Sequence, residues 1–207
     1  MTGERRVLVT GALGKLGRVV VGGLQDADLP VVATDLRAGG VGEVEVKGLA
    51  LSNPGSGLEE LFDGVVAVVH CAAVPRQGLK PPVDLLASNV GATLKLCSEA
   101  LKGSVRKFVY VSSAQVIASE GRPEHEPLEV SYLPLDGACP PNPRNEYAFS
   151  KATGEFLVKE LLATAGMECQ SLRFPWLDFP TQDGCWGRQL KPHHQRESRV
   201  VAEQGFA

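Results

Sequence analysis

Apolar positions along this chain switch repeatedly between strand-like and helical spacing. Arg5–Thr10 is a short β-rich run that closes on Thr10-Gly11. Lys15–Ala27 then places Leu16, Val19, Val20, Gly23 and Leu24 on one side of a helix. Pro30 ends that helix, and Val31–Thr34 reads as a second strand. Glu43–Gly48 is a weaker third strand, with Val44 and Val46 alternating with charge, and Leu58–Phe62 is a short helix. Val65–His70 is apolar without alternation, which marks a strand covered on both faces. Asp84–Lys102 is a long amphipathic helix, Arg106–Val111 a fifth strand, Asn145–Ala165 another long helix, and Glu168–Phe174 a sixth strand. Such alternation predicts the α/β class: a doubly wound parallel sheet with helices on both faces and right-handed crossovers.

Two segments break the pattern. Ser119–Arg144 carries Pro123, Pro127, Pro134, Pro140, Pro141 and Pro143 and reads as a long loop between the fifth strand and the next helix. Loops of this length in compact domains are often functional. From Trp176 the alternation stops, and Gln182–Ala207 is polar, with Arg188, Lys191, His193, His194, Arg196 and Arg199. The expected organisation is therefore a nucleotide-binding domain over 1–175 and a polar, poorly packed tail over 176–207.

The 207 residues suffice for one substantial core. With 43% apolar and 22% charged residues and a net charge of −3, the composition fits a globular domain and gives no reason to expect nucleic acid as a partner. Neither a signal-peptide pattern nor an apolar run near ~20 residues is present, so a cytoplasmic protein without a membrane partner is expected. Cys71, Cys97, Cys139, Cys169 and Cys185 are scattered and read as free thiols in a reducing compartment. His193 and His194 with Cys185 do not make up the three or four placed ligands a tetrahedral site needs, so no metal is expected.

Gly11, Gly14 and Gly17 lie between the first strand and the first helix. Without Cβ atoms there, the backbone can turn sharply and approach a pyrophosphate, which the helix N-terminus favours through its N–H groups and partial positive charge. Asp35 ends the second strand, near the offset of about 20 residues at which an acid accepts from the adenosine ribose hydroxyls. A carboxylate there repels a 2′-phosphate, which favours NAD over NADP, with Arg37 close by. Cys71, Ala72 and Ala73 are small residues that let a dinucleotide lie against backbone, while His70 reads as a structural histidine at a strand end. Tyr147 and Lys151 are four apart on one helical face. An ammonium beside a phenol favours the phenolate and so makes tyrosine a usable base near neutral pH. Ser113 follows the fifth strand and can hydrogen-bond a substrate oxygen.

Taken together, these residues resemble the extended short-chain dehydrogenase/reductase superfamily, in its NAD-dependent epimerase/dehydratase branch. The resemblance runs from about residue 5 to 175. It rests on Thr10-Gly-Ala-Leu-Gly-Lys-Leu-Gly17, Asp35, His70-Cys-Ala-Ala73, Asn89-Val-Gly-Ala-Thr93, Val111-Ser-Ser-Ala114, Tyr147-Ala-Phe-Ser-Lys-Ala-Thr-Gly-Glu155 and Leu172-Arg-Phe-Pro175. It implies a Rossmann-type sheet with NAD as cofactor and Tyr147 as acid/base. Lys151 would bind the nicotinamide ribose and lower the tyrosine pKa, Ser113 rather than Ser112 would polarise the substrate oxygen, and Asn89 would support the active-site water network. Leu13, Lys15, Leu16, Leu36, Arg37 and Val111 would line the cofactor, and Phe174-Pro175 would approach its nicotinamide end. The implied substrate is a sugar, sugar acid or nucleotide sugar, with an aldonate or uronate as a specific expectation. A homodimer through the two helices 84–102 and 145–165 is a further expectation.

Three departures qualify the resemblance. Ala50 stands where family members usually carry an acid that contacts adenine. Ala114 and Gln115 follow the serine where the dehydratases carry acids, which disfavours dehydration. Residues 176–207 do not resemble the substrate-binding region that follows the Arg-Phe-Pro strand in the family, so that region is expected to be truncated or missing here. The alternative reading is thus a non-catalytic NAD-binding module or a truncated enzyme without a substrate domain.

Overall fold

Strands form where β-branched residues cluster and helices where apolar residues recur at helical spacing, in the order the periodicity requires. The computed structural model describes residues 5–53, 55–76, 78–118 and 130–175. Its main elements are β1 (Arg6–Thr10), α1 (Lys15–Asp26), β2 (Val31–Asp35), β3 (Gly39–Val41), β4 (Val44–Gly48), β5 (Val65–His70), α2 (Pro82–Lys102), β6 (Lys107–Ser113), α3 (Glu146–Leu157) and β7 (Glu168–Phe174). The strands make one seven-stranded sheet in the order β3-β4-β2-β1-β5-β6-β7. All pairings are parallel except β3 with β4.

Two apolar clusters hold the layers together. On one face Val7, Val9, Ala33 and Val46 pack with Val21 of α1. On the other, Leu8, Val68, Phe108 and Tyr110 pack with Leu96 and Cys97 of α2 and with Val158 and Leu162 beyond α3. Strand alternation assigns these faces: Leu8 and Thr10 point one way, Val7 and Val9 the other. The expected coverage of Val65–His70 is met, since none of its residues is exposed.

Four local differences from the sequence expectation have physical causes. Gly39–Val41, to which the periodicity assigns no strand, pairs antiparallel with β4 through a tight connection at Gly42, whose φ is +56°. The short helix expected over Leu58–Phe62 is present and wound as 3₁₀, as short apolar turns commonly are. The helix expected over 145–165 ends as α at Leu157 and continues as a π turn over Val158–Ala163. Apolar periodicity does not register that change of winding. β6 runs on to Ser113, so this serine ends the strand instead of following it. The tail expected over 176–207, with His193, His194 and Cys185, lies outside the described residues. Among the described residues no helix is long and apolar enough to cross a membrane, and no group of three or more His, Cys, Asp or Glu side chains is placed to hold a metal.

Candidate active site

Strand order reverses between β1 and β5, so the crossovers leaving these strands diverge and open a crevice beyond their C-terminal ends. Gly11, at the end of β1, has a φ of +67°, and a Cβ there would stand 2.7 Å from the Ala72 backbone nitrogen. A Cβ on Gly17 would stand 2.0 Å from the Gly11 carbonyl oxygen. The turn is therefore closed to side chains at both positions, and Cys71-Ala72 lies directly against it. α1 starts after Gly14 with no side-chain cap and no acid in its first turn. Its first N–H groups, around exposed Lys15 and half-buried Leu16, thus keep their capacity for an anion. This cradle fits a dinucleotide pyrophosphate.

Asp35 ends β2 and ties the turn down. One carboxylate oxygen accepts from the Leu13 N–H at 2.9 Å and the other from the Leu36 N–H at 2.7 Å. Each oxygen retains a lone pair, enough to accept from a ribose hydroxyl. Leu36 and Arg37 beside it are exposed. Ala50 is half-buried and Leu51 joins the core, so the segment after β4 offers adenine no carboxylate at these positions.

On the opposite side of the crevice, α3 carries Tyr147 and Lys151. Asn145 caps the helix by accepting from the Ala148 N–H at 2.8 Å, and its amide donates to Gln115 Oε1 at 3.2 Å. Gln115, in the 3₁₀ turn after Ser113, therefore locates the helix start. Tyr147 and Lys151 are both buried, 8% and 3% exposed. Lys151 Nζ donates to the Val111 carbonyl at 2.7 Å and lies 5.1 Å from the Tyr110 ring centre and 6.0 Å from that of Tyr147. Burial pushes its ammonium down to about 8, opposed by the electrostatic pull of Cys71 and Glu155. Burial likewise pushes the Cys71 thiol up to about 11, against the pull of Lys151. Ser113 Oγ accepts from the Gln115 N–H at 3.2 Å. Phe174 pairs with Ser113 across β6 and β7 at the same end of the sheet.

Asn89 sits on α2 and joins three elements. Its Oδ1 accepts from the Val74 N–H at 2.7 Å, and its Nδ2 donates to the Val74 carbonyl at 3.2 Å and to Ser150 Oγ at 3.0 Å. The structure thus gathers Gly11, Gly14, Gly17, Asp35, Ala72, Asn89, Ser113, Tyr147 and Lys151 at one sheet end. Three features escape sequence reading as a site. Glu155 receives Arg173 in a two-pronged ion pair at 2.9 and 2.7 Å and accepts from Ser112 Oγ at 2.5 Å. Arg173 also donates to the Cys139 carbonyl at 2.6 Å, pinning the loop before α3. His70 is buried between Thr10 and Thr93. Glu155 and Arg173 stand in the quoted motifs, but only the fold shows that they meet.

A Gly-rich turn at a topological switch point, facing a buried Tyr–Lys helix, defines a dinucleotide-dependent enzyme scaffold of the short-chain dehydrogenase type. Residues 7–177 match the model of the NAD dependent epimerase/dehydratase family, and the chain belongs to that family. It is 32% identical over 178 residues to a UDP-glucose 4-epimerase of Azospirillum brasilense, covering 82% of this chain and 48% of that protein. It is 30% identical to an NAD-dependent glucose-6-phosphate dehydrogenase of Haloferax volcanii, covering 74% of this chain and 62% of that protein. Among solved structures, a short-chain dehydrogenase/reductase superfamily protein of Agrobacterium tumefaciens with bound NAD superposes with a TM-score of 0.70 at 33% identity, over 82% of this chain and 49% of that one. The Thermus thermophilus UDP-glucose 4-epimerase complex with NAD gives a TM-score of 0.68 at 29% identity, over 81% and 54%. The chain spans about half the length of most of these relatives.

Proposed function

We propose that this chain is the NAD-binding and catalytic portion of an oxidoreductase or epimerase acting on a secondary alcohol of a sugar, sugar acid or nucleotide sugar. The observation that carries this reading is the placement of buried Tyr147 and Lys151 on one face of α3, against the end of β6 that carries Ser113. The bound dinucleotide would supply the two-electron acceptor. Tyr147 takes the proton of the substrate hydroxyl, and the Lys151 charge favours its phenolate. Ser113 already accepts from Gln115, which leaves its own proton for the substrate oxygen. Lys151 also reaches the nicotinamide ribose, and Asn89 holds Val74 and Ser150 around the same crevice. Gly11, Gly14, Gly17 and the α1 N-terminus hold the pyrophosphate, with Leu13, Lys15, Leu16, Leu36, Arg37, Cys71, Ala72, Ala73, Val111 and Phe174 along the cofactor. Asp35 takes the adenosine ribose and selects NAD over NADP. A carboxylate is missing at 114–115, so the chemistry stops at oxidation or epimerisation rather than dehydration. Pairing of two copies through α2 and α3 belongs to the same proposal, with Val83, Phe149 and Phe156 exposed on these helices.

The test has two stages. Calorimetry with NAD and NADP should show NAD binding the more tightly, and no NAD binding would sink the cofactor assignment. Turnover is then followed by NADH absorbance and by epimer formation across sugars, sugar acids and nucleotide sugars. Tyr147→Phe should lower any activity found by at least about a hundredfold with NAD affinity nearly unchanged. Activity that survives overturns Tyr147 as the acid/base. Tight NAD binding with no turnover on any substrate marks the chain as a dinucleotide-binding module.

A further inference from the structure

His70 ends β5 with 1% of its surface exposed, and both ring nitrogens are engaged. The direction of each hydrogen bond follows from valence. Thr93 gives its single hydroxyl proton to the Asn89 carbonyl at 2.9 Å. Thr93 Oγ1 must then accept from His70 Nε2 at 3.1 Å, so Nε2 carries the ring proton. The Tyr110 hydroxyl also lies against Thr93. Nδ1 is left bare and accepts from the Thr10 hydroxyl at 2.7 Å, while Thr10 Oγ1 accepts from the Ala72 N–H at 3.3 Å. One unbroken, one-way chain thus runs from the Ala72 N–H through Thr10, His70 and Thr93 to the Asn89 carbonyl. A second ring proton would leave the Thr10 hydroxyl without its acceptor.

The two ends of this chain are the two halves of the crevice. Ala72 lies against Gly11, where there is no room for even a Cβ. Asn89 holds Val74 and, through Ser150, the helix that carries Lys151. We propose that His70 is a positioning residue of the cofactor cradle. As a neutral, Nε2-protonated imidazole, it fixes Ala72 against the Gly-rich turn and ties that turn to α2 at Asn89. The groups facing the ring are consistent with neutrality. Tyr110 and Phe108 lie 5.7 and 6.4 Å away, and Lys151 is the nearby charge. Burial, with Lys151 adding to it, pushes the imidazole down to about 3.

This inference rests on the dinucleotide reading only in where the cradle leads, and its test separates the two. Nitrogen-15 spectra of the imidazoles in the full chain should show one ring with a bare Nδ1 and a protonated Nε2 that does not titrate between pH 5 and 8. A protonated Nδ1, or a ring titrating near 6.5, overturns the proposal whatever the chain binds. Thr93→Val removes the acceptor for Nε2–H at nearly constant shape. It should release the Nδ1-protonated tautomer and weaken NAD binding by about tenfold, and Thr93→Ser should restore both. Wild-type NAD affinity in a folded Thr93→Val variant overturns the positioning role. A wild-type chain that binds no NAD overturns both the cradle and the function proposed above.

Discussion

Lys151 is costly to the fold at neutral pH. Its ammonium is buried, and the partner at 2.7 Å is the Val111 carbonyl, which cannot neutralise it. Its folded-state value of about 8 lies below the ordinary lysine value, so between these two pH values the unfolded chain binds the extra proton. Stability accordingly rises with pH across that window, and below it the full penalty of the buried charge remains. Lys151→Met should therefore stabilise the fold by about 1–3 kcal/mol at pH 7 and abolish any turnover. The gain should shrink as pH rises through 8 to about 10.5. Urea unfolding of both proteins at pH 7, 8 and 9 measures it. A destabilised variant would show that Lys151 is held by contacts stronger than its desolvation. Sequence spacing made this pair legible, because residues four apart share a helical face. What it could not show was that Lys151 faces a carbonyl rather than an acid.

Elements position these side chains, and two of them make separable predictions. The α1 N-terminus lacks a side-chain cap, and Gly14 has a φ of −69°, which any residue adopts. Gly14→Asp introduces a good cap whose Cβ stands 3.2 Å from the Gly11 carbonyl, a contact a shift of a few tenths of an ångström relieves. The helix should hold or gain a few tenths of a kcal/mol. NAD binding should fall at least about tenfold, because the new carboxylate occupies the N–H groups and repels the pyrophosphate. Thermal unfolding and calorimetry together decide it, and unchanged affinity would place the dinucleotide elsewhere. The second case is the Glu155–Arg173 pair, 12% and 15% exposed, which joins α3 to β6, β7 and the loop before α3. Arg173→Met leaves Glu155 buried without its partner and should cost about 2–4 kcal/mol, part of it recovered by adding Glu155→Gln. Additive losses in urea unfolding would show that the two side chains act independently. The motifs placed both residues on their elements, but a contact between a helix and the sheet edge has no signature in local spacing. The β3 hairpin and the π turn were hidden for a related reason. Gly39-Gly40 carries no apolar alternation, and one extra residue per turn leaves a short amphipathic pattern intact.

At the scale of the whole molecule, parallel pairing brings the strand ends into one layer, so residues far apart in sequence become one site. That much was readable from strand–helix alternation and the Gly-rich turn together. The network behind the site was not, since Thr10, His70 and Thr93 stand in three separate motifs and local spacing does not show that they meet. The network has a global consequence in acid. His70 stays neutral in the folded chain down to about 3, whereas an unfolded histidine takes its proton near 6.5. Between these values the unfolded state binds one more proton, so stability falls as pH falls, by about 1.4 kcal/mol per unit once pH is well below 6.5. At pH 5 the loss from this one residue is about 2 kcal/mol. His70→Gln cannot take up that proton. The variant should be less stable than wild type at pH 7, because it loses the paired hydrogen bonds, and the difference should narrow by about 2 kcal/mol by pH 5. Other groups titrate in the same range, but they contribute equally to both proteins, so the change in the difference isolates His70. Urea midpoints at pH 5, 6 and 7 provide it. A difference that stays constant would mean that the folded chain accepts the proton at His70, and the one-way hydrogen-bond chain from Ala72 to Asn89 could not then be intact.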